Sequence, residues 1–359
     1  MSEADPNSVS SGFACRVCGE PARSLTAWRC DCGEPFRLLD NPEHSRFAAL
    51  QVPELGQGET PLIPAPFEGA GRLHLKLEGA NPSGSFKDRG MAVLVGLAVK
   101  CGAPEVVCDS SGNAAAAVAA FASAAGIGCR VFVPAETSEG KLRQIEAYGA
   151  DLVRVPGDRE DAACAAQAAA NESFYASHYW HPCFALGTRS FAYEVIEQFS
   201  GNPPDHVVFP VGHGSLYLGA VSGFLSAARD RNIAPPRCHV VQTRACQPVV
   251  QAVSKSTALA KTVATIAEGI RIPEPLRLPE ILTALGATGG CALAVEEDSI
   301  LHWWRRSARG GVLMEPTSAV ALAGLEALHS EGVIGDKETV VVPVTGHGLK
   351  VLLGRLNEL

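Results

Sequence analysis

A lysine placed between small residues and a helix start is where this chain is best equipped for covalent chemistry. Lys76–Met91 reads KLEGANPSGSFKDRGM. The strand-like LHLKL runs into Asn81-Pro82-Ser83-Gly84-Ser85, a run of turn formers. A helix is expected after Asp88, so Lys87 falls at a loop-to-helix junction whose small neighbours let a ligand approach. A desolvated amine there has a lowered pKa and can condense with a carbonyl as a Schiff base. The competing reading is an ordinary surface lysine in a Lys-Asp-Arg charge cluster. Position alone favours that one, since most lysines face water.

Three other groups of residues have types and spacing suited to chemistry. In DSSGNAAAA (Asp109–Ala117), Ser110, Ser111 and Asn113 offer two hydroxyls and an amide beside the N–H groups of a helix start. That setting suits a carboxylate, although plain N-capping accounts for the same helix start. In VGHGSLYLG (Val211–Gly219), an apolar strand, a glycine turn and a helix follow one another. Such a turn aims backbone N–H groups at a phosphate, but glycine turns before helices are also common. A dinucleotide fingerprint is disfavoured, because Tyr217 stands at the third glycine's place and the next glycine is Gly219.

The third group is Cys15-x2-Cys18 with Cys30-x-Cys32, each pair followed by glycine. These resemble zinc-ribbon knuckles, and four thiolates can hold one structural, tetrahedral zinc. The second pair has one intervening residue instead of two, so four reduced thiols in a metal-free fold stand as an equal alternative. Cys101, Cys108, Cys129, Cys164, Cys183, Cys238, Cys246 and Cys291 are scattered through apolar or helical contexts and read as reduced, buried thiols. His181, His213, His302 and His347 fit no ligand spacing and read as structural or pocket-lining.

The elements that must position these residues alternate along the chain. Strands are expected at Val106–Cys108, Cys129–Val133, Leu152–Val155, Val207–Val211, His239–Gln242 and Thr339–Val344. Helices are expected at 113–125, Ser138–Tyr148, 159–171, Leu216–Ala227 and Glu315–Leu328. Short continuous apolar strands separated by helices imply parallel sheets covered on both faces, an α/β class. No repeat period is visible.

The chain has 359 residues, 47% of them hydrophobic, and a formal charge of -8, enough for two modest domains. The acidity argues against a nucleic-acid partner, and no basic patch supports a nucleic-acid-binding ribbon. No apolar run is long enough for a membrane span. The polar start MSEADPNSVSSGF lacks the features of a secretory signal, so a cytoplasmic protein is expected.

From about residue 56 to its end the chain resembles the threonine synthase family, within the fold type II (tryptophan synthase β-like) pyridoxal-phosphate enzymes. NPSGSFKDRG is similar to the family's cofactor-lysine motif, GQGETPL (Gly56–Leu62) to its opening G-E-G-x-T-P-L, and DSSGN to its S-[ST]-G-N loop. VGHGSL is similar to its phosphate loop and VTGHGLK (Val344–Lys350) to its T-G-x-G-L-K close. VQTRACQP, TIAEGIRI and MEPTSAVALAGL also look like family segments.

The resemblance implies pyridoxal 5'-phosphate as cofactor, held by Lys87 as a Schiff base. Gly212, His213, Gly214, Ser215 and Leu216 would take its phosphate, and Asn113 its phenolic oxygen. Thr345 would face the pyridine nitrogen, a neutral partner that favours eliminations and replacements over transamination. Ser110, Ser111, Gly112, Asn113 and Ala114 would clamp the substrate carboxylate, and Glu315 would line the pocket.

The resemblance further implies two three-layer α/β domains with the active site between them, preceded by a small zinc-ribbon-like segment. The expected division is a disordered tail over 1–12, the Cys-rich segment over 13–40, a large cofactor-binding domain over 41–90 with 188–359, and a small mobile domain over 91–187. A homodimer acting on a small amino acid is implied by analogy.

The implied reaction is β- or γ-elimination or replacement, as when O-phosphohomoserine gives threonine and phosphate. The chain departs from the family in HPCFALGTRS (His181–Ser190), with Phe184 where a substrate-phosphate arginine usually stands and Leu186 in place of an acid. DSSGNAAAA is also closer to the serine/threonine dehydratase form. Arg189, Lys141 and Arg143 are the remaining candidates for a phosphate. A dehydratase-like deaminase, a cysteate synthase-like β-replacement on O-phosphoserine, and a non-catalytic protein with this fold and a partner-binding Cys segment stand as alternatives.

Overall fold

The computed structural model describes residues 12–39, 50–68, 70–255 and 263–352, the side chains of Lys141 and Leu352 excepted. The tail expected over 1–12 lies outside them apart from Gly12. The chain divides into two compact units, Met1–Leu55 with Lys87–Gly187, and Gly56–Phe86 with Thr188–Leu359.

The first unit is built on a parallel sheet of four strands in the order Asp151–Val155, Gly128–Pro134, Glu105–Cys108, Phe174–Tyr175. Val106, Val107, Val131 and Val133 are fully buried, the outcome expected for β-branched runs in a covered parallel sheet. The helix Asn113–Ala125 buries Ala114 to Ala122 without a break, since alanine lets elements approach closely on every side. It ends at Gly126, which takes φ +69° and returns its N–H to the Ala122 and Ser123 carbonyls. The helix Lys87–Lys100 packs against it. The Cys-rich segment joins this unit as a two-stranded antiparallel ribbon, Phe13–Cys15 with Phe36–Leu38, in which Cys15 faces Phe36.

The second unit carries six strands in the order Ala292–Val295, Arg237–Thr243, His206–Pro210, Thr339–Pro343, Arg72–Lys76, Leu62–Pro64. All neighbours are parallel except the last pair. The helix Pro316–Ser330 packs on its central strands and is buried along nearly its whole length. Val208, Val241, Val340 and Val342 meet Trp304 and Leu322 in one core cluster. Val207, Phe209, Val341 and Phe224 belong to a second.

The expected strands and helices are present with ends shifted by a residue or two, except that the helix expected to end at Ala227 runs on to Arg231. The exception with chemical weight is the helix after the lysine, which starts at Lys87 itself and not beyond Asp88. No helix among the described residues is long and apolar enough to cross a membrane.

Candidate active site

In the second unit a buried polar network holds the approach to the lysine. Lys76 lies in a strand and is fully buried, and its Nζ donates to the Thr60 carbonyl (2.6 Å), Glu194 Oε2 (2.7 Å) and Gln198 Oε1 (3.0 Å). Thr60 Oγ1 donates to Glu78 (2.8 Å), Asn81 donates to the other Glu78 oxygen (3.2 Å), and Gly58 N–H donates to Asn81 Oδ1 (2.9 Å). Thr60, Glu78 and Asn81 therefore satisfy one another away from water, the condition for burying them at all.

The Asn-Pro-Ser-Gly-Ser turn is then pinned by the chain's closing loop. Gly84 takes φ +90°, its carbonyl accepts from His347 N–H (2.9 Å), and Ser83 accepts from Lys350 Nζ (2.7 Å). Phe86 N–H donates to the Thr345 carbonyl (3.0 Å). Lys87 is the next residue in the chain.

Lys87 opens its helix in the first unit. It is half-buried by surface, yet desolvation of its amine pulls the pKa down from 10.5 to about 7. The Arg159 charge adds to this, and Cys108 acts weakly in the other direction. A helix N-terminus is itself an unfavourable place for an ammonium group. The amine lies 5.5 Å from the centroid of the Phe184 ring, and Phe184 is buried.

The same unit brings Lys87 near the end of the strand Glu105–Cys108, from which the 109–113 loop leaves. The N-cap of the following helix is Gly112, without any side-chain acceptor, and Asn113 is its first residue. Ser110 Oγ accepts from Gly112 N–H at 3.3 Å, and Ser110, Ser111 and Asn113 are half-buried. Side-chain capping by serine or asparagine is therefore not what starts this helix. Ala114 is buried behind the turn.

In the second unit, Gly212–Leu216 and Thr345 leave the carboxyl ends of the neighbouring parallel strands His206–Pro210 and Thr339–Pro343. Open α/β sheets bind ligands at that end of their strands. Gly214 caps the helix Ser215–Arg231 with φ +78°. A Cβ on Gly212 would stand 2.9 Å from the Ile270 Cα. Thr188 Oγ1 donates to the Ser215 carbonyl (3.0 Å) and steadies the first turn. His213 is half-buried within the turn. Thr345 is buried, its N–H donates to Ser318 Oγ (2.9 Å), and the two hydroxyls lie 2.9 Å apart. Glu315 is buried, and a Cβ on Gly346 would collide with its carboxylate.

Residue types and spacing missed Ser318, Arg159, and the pairing of Tyr179 OH with Asp109 Oδ2 at 2.7 Å. A signal existed for Lys76, because a lysine inside an apolar strand requires a buried acid. It did not identify Glu194.

Cys15, Cys18, Cys30 and Cys32 converge, with all four Sγ atoms within 4.8 Å of one another. The eight other cysteines are free thiols in this structure, some buried and others at the surface, such as Cys101 and Cys164. His181 is structural: its Nε2 donates to the Leu25 carbonyl (3.2 Å) and its Nδ1 accepts from Cys183 N–H (3.2 Å).

A family model described as pyridoxal-phosphate dependent enzyme matches residues 53–346. The chain is 36% identical over 289 residues to the threonine synthase of Methanocaldococcus jannaschii, across 79% of this chain and 71% of that one. It is 34% identical over 302 residues to the threonine synthase of Bacillus sp. (strain ULM1), across 82% and 84%. Among solved structures it is similar to a fungal L-serine ammonia-lyase from Rhizomucor miehei, with a TM-score of 0.72 and 25% identity over 84% of this chain and 97% of that one. An O-ureido-L-serine synthase shares the fold, with a TM-score of 0.70 at 20% identity over 82% and 91%. A lysine amine whose pKa burial lowers, a glycine turn at the sheet's carboxyl edge and a matched span of most of the sequence agree: the chain belongs to the pyridoxal-phosphate dependent enzyme family.

Proposed function

We propose that this chain catalyses β- or γ-elimination or replacement on a small amino acid, as a lyase of threonine synthase type. The observation that carries the reading is the Lys87 amine, whose pKa of about 7 leaves much of it unprotonated near neutrality.

Pyridoxal 5'-phosphate is the family's cofactor, and the residues present suit it. Lys87 offers the uncharged amine that its aldehyde requires. The turn at Gly212–Leu216 has a left-handed backbone that favours glycine at Gly214, and it opens the helix Ser215–Arg231, so it would take the phosphate. Asn113 would take the phenolic oxygen. Thr345 would meet the ring nitrogen through a hydroxyl whose orientation Ser318 sets.

When bound, the cofactor acts as an electron sink for negative charge at the substrate's α-carbon. Lys87 Nζ would take the α-proton as a general base, a role that suits a pKa near working pH. Ser110, Ser111 and the first N–H groups of the helix Asn113–Ala125 orient the substrate carboxylate. O-phosphohomoserine is the leading substrate, because the threonine synthase relatives cover most of the chain.

A specific observation favours a second reading. The Phe184 ring lies beside the Lys87 amine where the family's phosphate-binding arginine was expected, and the buried Asp109 heads the 110–113 loop. An apolar ring and a carboxylate both disfavour a phosphate and suit serine or threonine, as in a dehydratase-type deamination.

Borohydride reduction in the presence of pyridoxal phosphate, followed by peptide mapping, should place the label on Lys87. A label elsewhere, or none, overturns the assignment. Phosphate release from O-phosphohomoserine then supports the first reading, and from O-phosphoserine a β-replacement variant of it. Ammonia and keto acid from L-serine or L-threonine support the second.

A further inference from the structure

We propose that Cys15, Cys18, Cys30 and Cys32 hold one zinc ion, and that the loop it closes clamps the segment Phe174–Phe184, which sets Tyr179 on Asp109 and Phe184 beside Lys87. The inference is independent of which amino acid the enzyme uses.

The sulfur geometry comes first. Cys15 and Cys32 Sγ are 3.5 Å apart, Cys18 and Cys30 3.6 Å, and Cys18 and Cys32 3.7 Å. Four thiolates at about 2.3 Å from a tetrahedral zinc stand about 3.8 Å from one another. No pair is singled out as a bond, since all four Sγ atoms lie within 4.8 Å of one another.

The backbone around them has the matching form. Cys15 N–H donates to the Glu20 carbonyl (2.8 Å) and Gly19 N–H to Cys15 (3.1 Å). Cys30 N–H donates to Glu34 (2.8 Å) and Gly33 N–H to Cys30 (2.8 Å). Gly19 and Gly33 take φ +77° and +90°, so each glycine turns the chain back under its cysteine pair. The single residue between Cys30 and Cys32 still brings both sulfurs into the cluster. Apart from its cysteines, the segment buries only Phe13, Ala14, Ala22 and Phe36 as hydrophobic residues. A piece this small has too little core to hold its shape without a cross-link.

Phe13 meets the His181 ring edge-on at 6.0 Å, and further contacts that tie the segment to the rest of its unit leave from the loop between Cys18 and Cys30. Trp28 meets Tyr175 edge-on at 4.9 Å and Trp180 at 5.2 Å, and joins the cluster of Val107, Phe132, Ala166 and Tyr175. The Leu25 carbonyl accepts from His181. A metal holding both ends of that loop lowers the entropic cost of placing Trp28 and Leu25. The clamped segment then fixes Tyr179, which bonds Asp109 at the head of the 110–113 loop, and Phe184, which lies beside the Lys87 amine.

The test uses the full chain purified under reducing conditions. Elemental analysis should find one zinc per chain, lost in Cys18→Ser, and cobalt substitution should give the absorption of a tetrahedral thiolate site. Removing zinc from the wild-type chain with a chelator should shift tryptophan emission and speed amide hydrogen exchange in peptides covering 174–184. Restoring zinc chloride should reverse both. Trp28→Leu should keep its zinc while exchange over 174–184 responds less to the chelator than in the wild type. Three results overturn the proposal: no zinc in the purified chain with none taken up from zinc chloride, recovery of these cysteines as disulfides in reducing buffer, or zinc loss that leaves 174–184 exchange unchanged.

Discussion

At the scale of single residues, two lysines in this chain escape solvent by opposite means. Lys87 loses its charge: desolvation pulls its pKa to about 7, and Arg159 helps. The neutral fraction therefore rises as pH passes upward through about 7. Capture of pyridoxal phosphate by the cofactor-free chain, measured as borohydride-fixed label, should rise across that range and level off above it. A rate that climbs only near the ordinary lysine pKa would show that the amine is solvated. Lys87→Arg should take up no label. Lys76 keeps its charge by spending it on Glu194, Thr60 and Gln198. Lys76→Met leaves the Glu194 carboxylate largely buried without its cation, which should cost about 3–5 kcal/mol in urea unfolding. Lys76→Met with Glu194→Leu should recover much of that loss, because removing both charges restores a satisfied interior. A double variant as unstable as the single one would assign the loss to packing instead.

Within each unit, taken by itself, elements pack closely at positions where only glycine fits. A Cβ on Gly187 would lie 1.9 Å from the Arg89 carbonyl oxygen, and one on Gly290 would lie 1.9 Å from that of Cys238. Both obstacles are backbone, so the added methyl cannot be absorbed by a rotamer change. Gly187→Ala and Gly290→Ala should each lower stability by about 1–3 kcal/mol or more, read from denaturant midpoints. Gly140→Ala, where a Cβ meets nothing within 4 Å, is the control expected to be near neutral. The elements themselves were unevenly legible. Runs such as Val207–Val211 and the alanines after Asn113 declare a buried strand and a helix by composition. Phe174–Tyr175 and Leu62–Pro64 are too short to show a period, and Ala292–Val295 lies at a sheet edge where burial is partial. The helices Leu278–Thr288 and Glu297–Arg309 went unread, although the second carries its apolar residues on one face with Trp303 and Trp304 buried. The candidate site follows the same logic. Lys87, the 110–113 loop and the glycine turn are contiguous motifs. Ser318 reaches Thr345, and Glu194 reaches Lys76, only because distant elements pack together.

Across the whole molecule, stability against pH should carry the signature of three bases held neutral by the fold: His239, Lys87 and His206, whose pKa burial also lowers. His239 is pulled from 6.5 to about 3 by burial first, then by His206 and Arg237. Its hydrogen bonds fit that state. Cys291 N–H donates to His239 Nδ1 (3.1 Å), so Nε2 carries the proton toward His206 Nδ1 (2.9 Å), and His206 Nε2 then donates to Glu338 (3.1 Å). Between pH 6.5 and about 3 the unfolded chain binds a proton at residue 239 that the folded chain refuses. Stability must therefore fall as pH drops through that window. Lys87 repeats the argument at higher pH in the cofactor-free chain: from about 7 to 10.5 the unfolded lysine is charged and the folded one neutral. Stability should rise with pH there, against the usual alkaline decline. Urea midpoints across both windows, for the cofactor-free wild type, His239→Gln and Lys87→Met, separate the His239 and Lys87 contributions. Glutamine keeps a donor toward His206 but does not titrate, so its acid limb should become shallower, with His206 and Glu338 supplying what remains, while its alkaline limb stays. Methionine should flatten the alkaline limb alone. Parallel profiles for wild type and Lys87→Met above pH 7 would mean that the fold does not hold this amine neutral, and the chemistry assigned to it would need another residue.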